Sequence, residues 1–312
     1  MTTKPLSVQH IEEASRTIDP VFRDTAQFSD EVLSRELGRD IVVKVETLNP
    51  IRSFKGRGAG YFIQQVPAGH HVVCASAGNF GQAIAYAGRQ RDVPVRVYAA
   101  TNANPMKVER MRLLGADVVQ VGDDFDAAKD AARAYVAEGD GRLFVEDGKE
   151  PRISEGAGSI AVELAPLDLD VVLVPVGNGA LITGIARWLK EHSPRTRVVG
   201  VCAAGAPAMV LSWRGETERL SAATAQTMAD GIAVRVPIPE AVDWMRADVD
   251  DMLLVDEEHI MTALRMVRDT LGLLLEPAAV VGIAALLQHS VPSGATATIL
   301  TGSNFSADLF AG

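Results

Sequence analysis

Cysteine is nearly missing from this chain: Cys74 and Cys202 are the only two in 312 residues. Neither stands at a metal-binding or redox spacing, which excludes a disulfide framework and points to a reducing compartment. The N-terminus lacks a basic segment followed by an apolar run, so no secretory signal is read there. No apolar stretch is long and unbroken enough to span a bilayer. Positive charge is in deficit, with 30 Lys+Arg against 40 Asp+Glu and a net charge of -10. That balance argues against nucleic acid or an anionic membrane surface as partner. Internal repeats, low-complexity segments and disordered linkers are absent as well. These absences predict a cytoplasmic protein whose partner is a small molecule.

What is present is regular. A composition of 47% hydrophobic and 22% charged residues is that of an ordinary globular protein, and the length exceeds what one core usually serves, so two lobes are expected. A short helix is predicted over 8–18 and a strand over 41–46. From residue 72 to 145 the pattern alternates β-α-β-α-β-α-β, with strands over 72–75, 95–98, 118–121 and 143–145. This implies a parallel sheet with helices on both faces. A second series starts near 154, with strands over 171–176, 198–201 and 297–300 and helices over 257–271 and 277–288. The predicted fold class is α/β, two lobes, each a mainly parallel twisted sheet with helices on both faces. Residues 1–66 and 150–312 would form a large discontinuous domain and 67–149 a small one.

Three strand-end loops carry the chemistry. In Leu48-Asn49-Pro50-Ile51-Arg52-Ser53-Phe54-Lys55-Gly56-Arg57-Gly58-Ala59, Pro50 suits a turn and Ser53 suits a helix cap. Lys55 then sits in a first helical turn, with Arg57 two residues on. Both the dipole and the second cation disfavour a charged amine there, and the neutral amine is the form that attacks a carbonyl. An exposed surface lysine is the plain alternative. Gly177-Asn178-Gly179-Ala180-Leu181, between a strand and a helix, suits an anion such as phosphate, or simply a tight turn. It is neither a dinucleotide fingerprint, since Ile182 holds the third glycine position, nor a Walker loop. Ser76-Ala77-Gly78-Asn79 has donors for a carboxylate, and as a well-capped helix start needs no ligand at all. Thr301 closes the last strand, where a hydroxyl meets a ligand in an open α/β crevice or ends in a turn. Glu276, at a helix start, reads as a helix-dipole carboxylate.

In order along the chain these segments resemble the pyridoxal-phosphate enzymes of the tryptophan-synthase-β fold type (fold type II), and among them the serine/threonine dehydratases. Ser53–Ala59 resembles the cofactor-lysine motif, Ser76–Asn79 the substrate-carboxylate loop, and Pro175–Leu181 the phosphate loop. Ala229-Asp230-Gly231-Ile232-Ala233-Val234, Glu276-Pro277-Ala278 and Thr301-Gly302-Ser303-Asn304 complete the set. The resemblance implies that Lys55 carries pyridoxal 5'-phosphate and moves the α-proton, with Phe54 against the ring. It implies that Asn79 meets the phenolate oxygen, that Gly177, Asn178, Gly179, Ala180 and Leu181 hold the phosphate, and that Thr301 faces the pyridine nitrogen. Ser76, Ala77, Gly78 and Asn79 would take the substrate carboxylate. The large domain would then bind the cofactor and the small one the substrate carboxylate.

Phe80 stands where the family usually has histidine, and Asn178 and Ala180 interrupt a loop that is usually four glycines. Ser303 replaces a glycine, Asp24–Phe28 replaces Thr-Pro-Leu, and Ile51 and Arg52 precede the lysine motif. Arg52 is a candidate for selecting a second acidic group, beside the plainer reading of a solvated arginine.

The implied reaction is β-elimination of water from L-threonine, L-serine or a related β-hydroxy amino acid. Its products are a 2-oxo acid and ammonia, with the cofactor's phosphate as the acid for the leaving hydroxyl. β-Replacement of the cysteine-synthase kind and a silent amino-acid-binding role are the alternatives. Ala77 stands where racemases carry a serine, so elimination without racemisation is expected. Cys202 stands where the racemase branch has a metal-holding acid, so no metal is expected. The chain ends soon after Asn304, so no feedback domain is expected, and a homodimer is.

Overall fold

A computed structural model describes residues 6–216, 218, 220 and 225–305. The strands form two sheets, one of six strands and one of four. The larger has the order β1-β2-β10-β7-β8-β9, from β1 (Gln27–Ser29), β2 (Ile41–Val45), β7 (Val171–Pro175), β8 (Arg197–Ala203), β9 (Asp251–Val255) and β10 (Thr296–Leu300). All its pairs are parallel except the edge strand β1, which runs antiparallel to β2 with Gln27 opposite Lys44. The smaller has the order β5-β4-β3-β6, from β3 (His71–Ala75), β4 (Val95–Ala99), β5 (Asp117–Gln120) and β6 (Arg142–Phe144), all parallel.

The helices follow the expected alternation: α1 (Val8–Thr17), α2 (Glu31–Leu37), α3 (Lys55–Ile63), α4 (Asn79–Gln90), α5 (Pro105–Leu113), α6 (Phe125–Ala137), α7 (Pro151–Leu164), α8 (Ala180–His192) and α9 (Ala208–Arg214), then Pro239–Asp248, Glu257–Leu271 and Val281–Gln288. The helix expected over 277–288 opens as a 3-10 turn, Pro277–Val280. β1, α2, α9, β9 and the helix Pro239–Asp248 are absent from the sequence reading. α2 carried ordinary signals, an Asp30 side chain accepting from Leu33 N–H and Gly38 in the left-handed region at its end. β1 is short and exposed on its outer residues, so no apolar run marked it.

Helix α7 packs against both α3 and α8 at near-backbone distance. A Cβ on Gly158 would lie 2.8 Å from the Gly184 carbonyl oxygen, and one on Gly184 would lie 2.0 Å from that of Ser154. Gly184→Ala is therefore expected to cost about 1–3 kcal/mol by overpacking, read by chemical denaturation; an unchanged midpoint would contradict this packing.

Beneath α3 lies a buried ion cluster. Arg57, 0% exposed, donates to both oxygens of Glu46 (2.8 and 2.8 Å) and of Glu163 (2.6 and 3.0 Å) and to Ser159 Oγ (3.0 Å). Lys44 reaches Glu163 from β2. The first turn of α3 is thereby tied to β2 and α7.

Candidate active site

Loops at the C-terminal ends of parallel strands from both sheets enclose a cavity of about 570 Å³, the position where open α/β sheets bind ligands. Every site residue expected from the sequence lies on its wall: Phe54, Lys55, Ser76, Ala77, Gly78, Asn79, Gly177, Asn178, Gly179, Ala180, Leu181 and Thr301. Phe80, Asp230–Val234 and Glu276 line it too. Arg52 does not; it is exposed, with a left-handed φ of 52°.

Lys55 opens α3 behind Phe54, which supplies no side-chain cap bond. Ser53 contributes only a long contact, its Oγ accepting from Lys55 N–H at 3.4 Å. The turn is fixed instead by the residues just past β10: Phe54 N–H donates to Thr301 O at 3.1 Å, and Ser53 bridges to Gly302. Lys55 Nζ lies 4.7 Å from the centre of the Phe54 ring and donates to Asp147 Oδ2 at 2.6 Å. The sequence reading put Arg57 beside this amine as a second positive charge. The structure corrects that, because the Arg57 guanidinium is committed to Glu46 and Glu163.

The glycine loop ends in Gly179, φ +93°, which opens α8 without any side-chain cap. The first N–H groups of such a helix have no intrahelical partner, and the positive end of its dipole faces the cavity. A Cβ on Gly177 would sit 3.1 Å from the Gly231 carbonyl oxygen, so the cradle is narrow there. An uncapped helix start, a narrow glycine cradle and a lysine amine in one cavity fit a phosphorylated carbonyl cofactor.

Ser76 Oγ accepts from Gly78 N–H (3.2 Å) and Gly81 N–H (2.9 Å), so it shapes the start of α4. Asn79 is oriented from both ends: its Nδ2 donates to Glu276 Oε1 and its Oδ1 accepts from Asn304 Nδ2, each at 2.8 Å. One amide hydrogen of Asn79 is left for a ligand. Glu276 stands at the N-cap of the Pro277–Val280 turn without a side-chain cap bond, and its carboxylate accepts instead from Asn79 Nδ2 and Asn304 N–H. Burial holds its carboxyl above the usual range, against the Asn79 bond. Asp147, just past β6, is among the wall residues that the sequence alone does not single out, its one signal being an acid after the end of a parallel strand.

Ion pairs join the two sides of the cavity mouth, Lys107 with Asp230 and Arg235 with Asp126. Burial pushes the Cys202 thiol up to about 12, and it donates to Val176 O. Among the described residues no group of three His, Cys, Asp or Glu is placed to hold a metal ion, and no helix is long and apolar enough to cross a membrane.

Known proteins resemble this chain over most of its length. The chain is 34% identical to an L-threonine ammonia-lyase of Thermotoga maritima, covering 97% of this chain and 77% of that one. It is 36% identical to the L-threonine ammonia-lyase of Geobacter sulfurreducens, over 94% and 74%. The processed form of threonine deaminase isoform 2 from Solanum lycopersicum superposes with a TM-score of 0.87 at 27% identity, covering 97% of this chain and 91% of that one. Residues 18–302 match the family described as pyridoxal-phosphate dependent enzymes, and the chain belongs to that family.

Proposed function

We propose that the protein is an ammonia-lyase that removes water from L-threonine, L-serine or a close β-hydroxy relative, releasing a 2-oxo acid and ammonia. The observation that carries this reading is the convergence of Lys55, the uncapped start of α8, Asn79 and Thr301 on one cavity. Pyridoxal phosphate, when bound, supplies the electron sink. Lys55 is its covalent anchor and then the base for the substrate's α-proton. Backbone N–H groups of Gly177–Leu181 hold the phosphate, the remaining Asn79 amide hydrogen meets the phenolate oxygen, and Phe54 packs on the ring. Thr301 faces the pyridine nitrogen; a hydroxyl there leaves the sink weaker than a carboxylate would. The loop Ser76–Asn79 binds the substrate carboxylate. Residues 67–149 act as a small lobe carrying that loop, and a homodimer in the cytoplasm is part of this reading.

Elimination is favoured over racemisation. A racemase needs a proton donor on the face opposite the lysine. Ala77 has no proton to give, and Ser76 Oγ is held by two backbone N–H groups at the start of α4. Purified protein given L-serine should therefore release 2-oxo acid and ammonia without D-serine, read by chiral chromatography. D-Serine forming faster than the oxo acid would overturn this, and a thioether forming in the presence of a thiol acceptor would replace the reading by β-replacement.

A further inference from the structure

The cavity wall carries more carboxylates than these roles use, and most already hold partners within the chain. Glu146 pairs with Lys129 and Arg133, Asp126 with Arg235, and Asp230 with Lys107. Asp124 caps α6 by accepting from Ala127 N–H, and Glu276 is held by Asn79 and Asn304. Asp147 differs. Its Oδ2 accepts from Lys55 Nζ at 2.6 Å, while its Oδ1 is buried without a partner. Among the described residues its one cation is thus the amine that the proposed function consumes. The turn that carries it is pressed onto the glycine loop: a Cβ on Gly148 would lie 2.2 Å from Asn178 O. Asp147 therefore has no room to retreat in that direction.

The contact between Lys55 Nζ and Asp147 Oδ2 is a path along which a proton can pass from the amine to the carboxylate. Elimination of a hydroxyl needs such a proton, because hydroxide is a poor leaving group and water a good one. The amine that takes the α-proton must come within hydrogen-bond reach of it. A carboxylate in contact with that amine is then about one further hydrogen bond from the β-substituent.

Resting on the lyase reading, we infer that Asp147 is the general acid for the leaving hydroxyl. The Cα–H bond breaks and its proton passes to Lys55 Nζ, the electron pair going to the new Cα–Cβ double bond. The proton crosses the 2.6 Å contact from Nζ to Asp147. Asp147 delivers it to the β-oxygen as the Cβ–O bond breaks, and the oxygen keeps that bond's electron pair. Water leaves, and no co-reactant is required. The acid is then a side chain of this protein, and not the cofactor's phosphate as the family resemblance implies.

The test is Asp147→Asn, which keeps the shape but cannot carry the proton, assayed on L-serine and on β-chloro-L-alanine, whose chloride leaves without one. Turnover of L-serine should fall by about 10²–10⁴-fold while that of β-chloro-L-alanine changes little. Borohydride trapping and peptide mass mapping should place a pyridoxyl group on Lys55 in both proteins, a readout independent of turnover. An equal loss on both substrates, or no loss on L-serine, overturns the assignment of Asp147 while leaving the lyase reading in place. Absence of the pyridoxyl group from Lys55 of the wild type overturns the lyase reading and this inference with it. Should Asp147→Asn fail to fold, the wild type decides. There β-chloro-L-alanine and L-serine are compared in solvent deuterium oxide: a solvent isotope effect on kcat seen with L-serine and missing with β-chloro-L-alanine supports proton delivery to the leaving oxygen along this path, and none with L-serine refutes it.

Discussion

Lys55→Ala is expected to abolish release of 2-oxo acid while the protein still folds. The side chain lines the cavity, and among the described residues its one ion pair is to Asp147, so little packing is lost. Catalysis loses the covalent anchor and the α-proton base together. The base alone accounts for about 10²–10⁴ in rate, so the combined loss should put turnover below detection. Mass mapping after borohydride reduction of the wild type checks the premise directly: the pyridoxyl group belongs on Lys55, and a label on another lysine sinks the assignment. Residual activity within about tenfold of the wild type, a barrier change of only 1.36 kcal/mol, would do the same.

The second large effect is on stability. Arg57→Ala should cost about 3–5 kcal/mol, because it leaves the buried Glu46 and the partly buried Glu163 around a missing guanidinium. Arg57→Lys should recover only part of this, since an ammonium cannot match four hydrogen bonds to two carboxylates made by a planar fork. The sign of the pH dependence follows from Glu163. Burial alone would raise its carboxyl, but the Arg57 and Lys44 hydrogen bonds and charges outweigh burial and hold it below the usual range. A depressed carboxylate contributes stability above its unfolded-state value, about 4.3, and loses it as pH falls through the folded-state value. Wild-type stability should therefore fall more steeply in acid than that of Arg57→Ala. Denaturant titrations at neutral and acid pH read both effects, and a variant as stable as the wild type would refute the role of the cluster.

The sequence by itself determined the parts that are written locally. Strand-helix alternation, Pro50 before a turn and the glycines at 177 and 179 each constrain the backbone within a few residues. That is enough to predict two parallel sheets and the loops at their strand ends. The ordered set of motifs reached the family, which 34–36% identity to the two ammonia-lyases bears out. Tertiary structure alone decided which side chains meet. Arg57 looked like the neighbour of Lys55, yet helical geometry turns it to the opposite side, into the carboxylates of β2 and α7. Asp147 stands 92 residues from Lys55 and shares no motif with it, yet the crossing of the two sheets' strand ends brings them to 2.6 Å. Asn79 and Asn304 meet across 225 residues in the same way. Local spacing encodes backbone conformation, because φ/ψ preferences act over single turns. Proximity across tens or hundreds of residues is set by how the sheets pack, and no short spacing records it.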